Sequence, residues 1–211
     1  MLTMKNYRLI ILASAVFVAA ISPQAQADRN VEDGLKIGFV YNFIKFVDWP
    51  GGKSSDANEP IIVGVIGPEN LAKAFEAIEK KKAKNRSLVV RRFVGFEKLK
   101  ESDKENDAEW NQRIESLKTC HVLVFSDKHR VAIKNLEKIF DALKGSPILT
   151  VGDHAGFLEQ GGIINLLKEK EKIRFEINLA SSIRNKLKIN ASLLAMAKRV
   201  VREELAKGDE N

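Results

Sequence analysis

The chain has 211 residues, of which 45% are apolar and 30% are charged, a composition typical of an ordinary globular domain or of two small ones. Its 35 Lys and Arg residues against 28 Asp and Glu residues give a net charge of +7. The single cysteine, Cys120, excludes an intramolecular disulfide and any metal site built from several cysteines.

The first 27 residues have the three-part layout of a secretory signal peptide. Lys5 and Arg8 form a positive start, an apolar run covers 9–21, and Ala25-Gln26-Ala27 is a cleavage site of the A-x-A type. The run is shorter than the roughly 20 apolar residues of a membrane span, although an uncleaved anchor is the alternative. We therefore expect a signal peptide over 1–27 and one mature domain over 28–211, with anionic lipid, cell-wall polymer or acidic protein, not nucleic acid, as partners.

The stretch 31–48 is predicted to form a helix, because its apolar residues recur at helical spacing and Pro50 ends the pattern. The apolar stripe consists of Val31, Leu35, Ile37, Phe39, Val40, Phe43, Ile44 and Val47. The other side of the helix carries Gly34, Gly38, Tyr41 and Lys45.

This helix is apolar around more of its circumference than a surface helix requires, so it is either sandwiched inside the domain or covered by another chain. The Gly34-x-x-x-Gly38 spacing removes side chains from one spot and permits another backbone to come close. Aromatic residues cluster towards its end, mostly as core. We predict a partner-binding face at Gly34, Gly38, Tyr41, Lys45 and Trp49.

After a loop at 51–59, strand patterns alternate with helical patterns. The alternation predicts an α/β fold with a single three-layer domain: a mainly parallel sheet, helices on both faces and a late antiparallel hairpin. The predicted strands cover 61–66, 87–93, 120–125, 148–151, 163–168 and 172–178; the predicted helices cover 69–82, 129–143 and a closing stretch from a cap at Asn190 to Leu205. The charged stretch 98–112 is predicted to be a solvated loop or helix.

Polar residues follow three of the predicted parallel strands, whose carboxyl ends share one rim of the sheet. Asp127, His129, Asp153 and His154 are candidates for a divalent metal site there, although no spacing is diagnostic and exposed loop residues are the simpler interpretation. A small solute bound at this rim is the alternative function. We expect no cofactor and no metal.

Other motifs favour structural roles. Gly64-x-x-Gly67 lacks the rest of a phosphate-binding loop and is typical of tight-turn glycines. Cys120 and His121 are adjacent in a strand, so their side chains point to opposite faces and do not form a nucleophile–base pair. Ser126 lacks a nucleophile elbow. The basic run 80–86, with Arg91 and Arg92 nearby, is a solvated helix end or a landing patch for an anionic surface.

Several segments, taken in order, form a recognisable series: Val40–Pro50, Ile62–Gly67, Cys120–Leu123, Ile148–Asp153, Phe157, Gly161–Ile164, Arg174–Asn178 and Leu187–Leu194. Together they resemble the YfiR-like family over nearly all of 35–202. The chain departs from the family in its longer charged stretch 98–112 and in its single cysteine, so control by an internal disulfide is not expected.

The resemblance implies a non-enzymatic regulator in the bacterial periplasm. Such proteins hold an inner-membrane diguanylate cyclase inactive by contacting its periplasmic sensor domain, and an outer-membrane lipoprotein can sequester them. The output is cyclic di-GMP, and hence biofilm formation. Related domains are fused to sensor kinases, so the resemblance also implies a sensor kinase as the alternative partner. A homodimer is a further expected assembly. The family brings no catalytic residues to carry over.

Overall fold

The computed structural model describes residues 23–50, 59–93, 108–126, 133–170 and 172–203. The chain divides into two compact units, Met1–Glu32 and Asp33–Asn211. The described part of the first unit is the helical start of α1, and the second unit contains all the strands described below. The helices are α1 Pro23–Phe46, α2 Glu69–Phe75, α3 Ala108–Lys118, α4 Ile133–Leu143, α5 Leu179–Arg184 and α6 Ala191–Met196, with a 3₁₀ turn at Glu76–Ile78.

Among the described residues, ten strands form one large and one small sheet. They are β1 Val47–Asp48, β2 Ile61–Ile66, β3 Lys82–Ala83, β4 Arg86–Phe93, β5 Val122–Phe125, β6 Leu149–Gly152, β7 Ile164–Glu169, β8 Lys172–Asn178, β9 Lys188–Ile189 and β10 Arg199–Val201. The large sheet has the order β10-β8-β7-β6-β5-β2-β4-β3, and β1 pairs with β9. Strands β4, β2, β5, β6 and β7 are parallel, whereas β7 and β8 form an antiparallel hairpin.

Side chains alternate between the two faces along each strand, so both faces of the large sheet carry apolar residues. Helices cover each face. Val63 and Val65 of β2 pack in the same core cluster as α1 and α2. Leu123 and Phe125 of β5 pack in a second cluster with α3 and α4. The predicted three-layer α/β fold with a mainly parallel sheet and a late hairpin is confirmed.

Three predicted helices end at the wrong residue, and α1 also begins earlier than predicted, at Pro23 and not at residue 31. Helix α1 stops at Phe46, and the next two residues form β1 beside β9. Helix α2 stops at Phe75, well before 82, because the backbone after its 3₁₀ turn pairs with Leu88. The closing helix ends at Met196, followed by β10 parallel to β8; Leu205 lies outside the described residues.

The predicted cap of the closing helix is confirmed. The side chain of Asn190 accepts a hydrogen bond from the backbone N–H of Ser192 at 2.8 Å, which satisfies one of the first-turn donors. Part of the charged stretch 98–112 belongs to a helix, α3, whose buried face consists of Ile114 and Leu117. The rest of that stretch, 98–107, lies outside the described residues.

Candidate functional site

Helix α1 presents an open face to solvent. Gly34 and Gly38 are exposed, and a Cβ added at either position would meet no described atom within 4 Å. Leu35, predicted as part of the buried stripe, is 46% exposed beside them. The inward side carries Val40 and Ile44, which are fully buried. The two glycines therefore have no packing role in the described part of the domain.

Tyr41 and Lys45 continue this face towards the edge of the sheet. The Tyr41 hydroxyl donates a hydrogen bond to the backbone oxygen of Lys82 in β3 at 2.9 Å. The Lys45 ammonium lies 4.0 Å from the centre of the Tyr41 ring and 3.3 Å from Oδ1 of Asn42. A cation over an aromatic ring is an attractive contact that holds both side chains in place. The structure therefore groups four of the five predicted partner-binding residues on one side of α1.

Trp49 does not belong to this face. Its side chain is buried, its indole N–H donates to the backbone oxygen of His121 at 3.3 Å, and its ring lies edge-on to the His121 imidazole at 6.2 Å. A buried tryptophan normally finds such a partner for its N–H. Trp49 thus anchors the chain after α1 to the amino end of β5.

Arg86 and His121 form a buried polar cluster beside Trp49 that the sequence did not reveal. Arg86 Nε donates to the Glu59 backbone oxygen at 2.6 Å, and Nη2 donates to that of Pro60 at 3.2 Å and lies 3.0 Å from His121 Nε2. The basic-run interpretation of Arg86 was therefore wrong: this side chain is only 4% exposed. Its side chain fixes the loop before β2, because it binds two backbone oxygens of that loop.

His121 and Cys120 point to opposite faces, as predicted. Cys120 is buried in the cluster with α3 and α4, while His121 accepts a hydrogen bond at Nδ1 from the Ile62 N–H, 3.1 Å away. Gly64, predicted as a turn glycine, lies inside β2 instead. A Cβ there would come within 2.7 Å of Leu123, so this glycine serves close packing.

The carboxyl ends of β2, β5 and β6 are adjacent, which confirms the predicted rim. Asp153 lies there in a nearly buried ion pair with Lys36 of α1, 2.7 Å away, and accepts a hydrogen bond from the Ser126 hydroxyl at 3.1 Å. The Lys36 ammonium is thus already bound to the Asp153 carboxylate, the group that a small solute would need for binding.

The rim shows no metal-binding arrangement among the residues that the structure describes. His154 is buried and packs edge-on against Phe157, with 5.1 Å between ring centres. Asp127 and His129 lie outside the described residues. At the start of α2, the Lys73 ammonium bonds to the Glu69 carboxylate and lowers the pKa of that carboxyl.

Arg91 and Arg92 do not join the basic run. They lie towards the far end of β4, where Arg91 donates to the Thr119 hydroxyl at 3.2 Å and Arg92 lies 3.6 Å from Glu69. The run itself is not a helix end. It forms the β3–β4 hairpin, whose turn residues Lys84 and Asn85 have φ values of 53° and 64°.

The domain is thus a three-layer α/β domain with an open helix face and a rim closed by its own side chains. The sequence profile of the YfiR/HmsC-like family matches residues 33–198, and the chain belongs to this family. Its members are periplasmic regulators of diguanylate cyclases, not enzymes. In the described part of the chain, no helix is both long and apolar enough to cross a membrane.

No curated protein matches the chain. A solved structure of a conserved domain protein from Vibrio cholerae is 12% identical with a TM-score of 0.52, covering 80% of this chain and 60% of its own. A tryptophan-bound ABC domain from Streptococcus pneumoniae is 9% identical with a TM-score of 0.49, covering 67% of this chain and 55% of its own. The chain spans less than two thirds of either structure. The likeness to the Vibrio structure shows the fold alone.

Proposed function

We propose that this chain loses residues 1–27 on export, acts without catalytic activity in the periplasm, and binds the periplasmic sensor domain of an inner-membrane diguanylate cyclase. Binding keeps the cyclase inactive and lowers cyclic di-GMP and biofilm formation. An outer-membrane lipoprotein that sequesters the regulator would release the cyclase. Family membership supports the class of partner, and the open face of α1 supports the place where it docks.

The observation that carries this proposal is the pair of glycines within α1. An exposed helix-interior glycine costs about 1 kcal/mol relative to alanine. Neither Gly34 nor Gly38 offsets this cost by close packing among the described residues, since a Cβ at either position has open space around it. A partner that approaches the helix backbone closely is a physical reason to keep both. The exposed Leu35 beside them offers apolar area to the same partner.

Tyr41 and Lys45 extend the docking face with a cationic, aromatic end. The Tyr41 hydroxyl bond to β3 and the Lys45 contact with the ring fix both side chains before binding. Fewer rotamers are then frozen when the partner arrives, which favours affinity. Trp49 lies inside the domain and is left out of this face.

The rim gives less support to the alternative of a small-solute-binding protein. Lys36 already neutralises Asp153, and the small cavity beside this pair is lined mainly by apolar residues. A solute would have to displace a nearly buried ion pair to reach the carboxylate.

The test introduces bulk on the open face. Gly38→Leu should abolish the lowering of cyclic di-GMP when it replaces the natural chain in cells, because the added side chain keeps the partner backbone at a distance. Gly38→Ala should stabilise the isolated protein by about 0.5–1 kcal/mol, since it fills open space and favours the helix. Cyclic di-GMP is measured by mass spectrometry, and folding by circular dichroism.

Gln112→Leu is the matched control, because it adds the same side chain at an exposed position of α3, on the other layer. It should leave cyclic di-GMP unchanged from the natural chain. Full regulation by a folded Gly38→Leu protein would exclude this face. Unchanged cyclic di-GMP after deletion of the whole gene would exclude the function itself.

A further inference from the structure

A dense group of exposed lysines lies where α1 meets the edge of the large sheet. Four of them come from the β3–β4 hairpin and the residues leading into it, and one from the last turn of α1. We name this surface the lysine edge: Lys45, Lys80, Lys81, Lys82 and Lys84. The segments that build it, 45–48 and 79–85, contribute two carboxylates, Asp48 and Glu79.

The Tyr41 ring brings the ammonium groups of Lys45 and Lys81 together. The ammonium groups of Lys45 and Lys81 lie 4.0 Å and 5.8 Å from the centre of the Tyr41 ring. The Tyr41 hydroxyl bonds to the backbone of Lys82, and Lys84 is paired with Asp48 of β1, the strand that follows α1. Charges from two elements separated in sequence are therefore concentrated on a small area.

The lysine edge presents charged side chains to a partner, whereas its backbone is poorly suited to pairing with a partner strand. Strand β3 has only two residues, and Tyr41 already occupies the backbone oxygen of Lys82. A partner strand would need that oxygen to extend the sheet, so strand addition is disfavoured here. The recognition that remains is electrostatic.

The kind of positive charge indicates the kind of anion. Lysine ammonium groups are compact, hydrated point charges on flexible stems and suit a diffuse anionic surface, whereas arginine suits bidentate recognition of a single carboxylate or phosphate group. The one arginine of this segment, Arg86, is turned inward to the backbone oxygens of Glu59 and Pro60. Each lysine held near an anionic membrane surface is attracted to the lipid headgroups by about 1 kcal/mol, so several neighbouring lysines add up to measurable binding.

We propose that the lysine edge docks this protein on an anionic phospholipid surface. The contact is reversible and reaches only the lipid headgroups, because the lysine edge carries no exposed apolar side chain of its own to insert. It goes beyond the proposed regulatory function: Gly34, Leu35 and Gly38 on the open face of α1 take the protein partner, and the lysine edge, which adjoins that face at Tyr41 and Lys45, holds the regulator against the membrane in which that partner lies.

The test uses the purified protein and vesicles that contain equal parts of phosphatidylglycerol and phosphatidylcholine, compared with phosphatidylcholine alone. Co-sedimentation should occur only with the anionic vesicles. It should disappear at about 1 M salt, where the Debye length falls to about 3 Å. A lysine near an anionic bilayer contributes roughly a fivefold gain in partitioning. The double variant Lys81→Glu and Lys82→Glu should therefore bind at least about tenfold more weakly.

The matched control reverses two exposed lysines on the opposite layer, Lys138→Glu and Lys144→Glu, with the same change in net charge. It should bind within about twofold of the natural protein. Equal losses in both double variants would overturn the proposal, because net charge alone would then explain the binding. Binding that ignores phosphatidylglycerol or salt would overturn it without any variant.

Two further outcomes separate this proposal from the regulatory one. Gly38→Leu should bind anionic vesicles normally while it loses regulation. A natural protein that ignores anionic vesicles, combined with a Lys81→Glu and Lys82→Glu variant that fails to bind the cyclase sensor domain, would assign the lysine edge to an acidic protein and refute the lipid proposal.

Discussion

The ion pair between Lys36 and Asp153 fastens α1 to the carboxyl end of β6, and Lys36→Met should lower the free energy of unfolding by about 3 kcal/mol. Both side chains keep only about a tenth of their exposure, 10% and 11%. Removing one partner of such a pair typically costs about 3–5 kcal/mol, because the other charge stays buried. The low end applies here, since Asp153 keeps its hydrogen bond from Ser126 and methionine keeps the aliphatic packing of the lysine stem.

The measurement is urea denaturation followed by the fluorescence of Trp49 and Trp110. In thermal unfolding the same loss corresponds to a midpoint lower by roughly 6–12 °C for a domain of this size. Asp153→Asn should cost a similar amount on its own. The double variant should cost clearly less than the two single variants together, because it leaves no uncompensated charge.

Two results would refute this account of the rim. One is a loss below about 1 kcal/mol for Lys36→Met, which would mean that water already solvates the pair. The other is additivity of the single variants, which would mean that the two charges do not stabilise each other in the folded protein.

Three other predictions concern processing and packing. N-terminal sequencing of the exported product should begin at Asp28, and a product that retains residues 1–27 would contradict the cleavage prediction. Cys120→Ser should cost about 1–3 kcal/mol because it places a hydroxyl in an apolar cluster, while regulation persists in the folded fraction; rapid labelling of the native thiol would contradict its burial. Gly64→Ala should cost about 1–3 kcal/mol in a melting experiment because its Cβ collides with Leu123; a neutral result would show that the neighbours yield.

The central strands were predictable because buried parallel strands form short continuous apolar runs bounded by turn residues. The end of the closing helix was not predictable. Its apolar spacing continues past Met196, but the chain there joins the sheet: the Lys198 N–H bonds to the backbone oxygen of Phe175, and Arg199 makes two 2.9 Å hydrogen bonds to Glu176. Cross-strand contacts with residues more than 20 positions away overrode the local preference, and periodicity does not report them.

The same division holds for the candidate site. The positions of Gly34 and Gly38 on the open side of α1 follow from helical spacing, which places residues four apart on one face. The inward turn of Trp49 and of Arg86 depends on His121, which is distant in the chain from both. Local patterns predicted a surface role for Trp49 and Arg86, but contacts with the distant residue His121 bury both side chains.

Helix α1 explains why the rim and the open face have different roles. Its inward side places Lys36 at the rim, where parallel α/β sheets usually bind small ligands. The Lys36 ammonium group therefore takes the position that the cationic part of a ligand would occupy. The outward side of α1 keeps two glycines that the described part of the domain does not pack against. Helix α1 therefore blocks the usual ligand site with its inward side and exposes its outward side, an arrangement suited to contact with a macromolecule. Any variant that shifts α1 should affect stability and partner binding together.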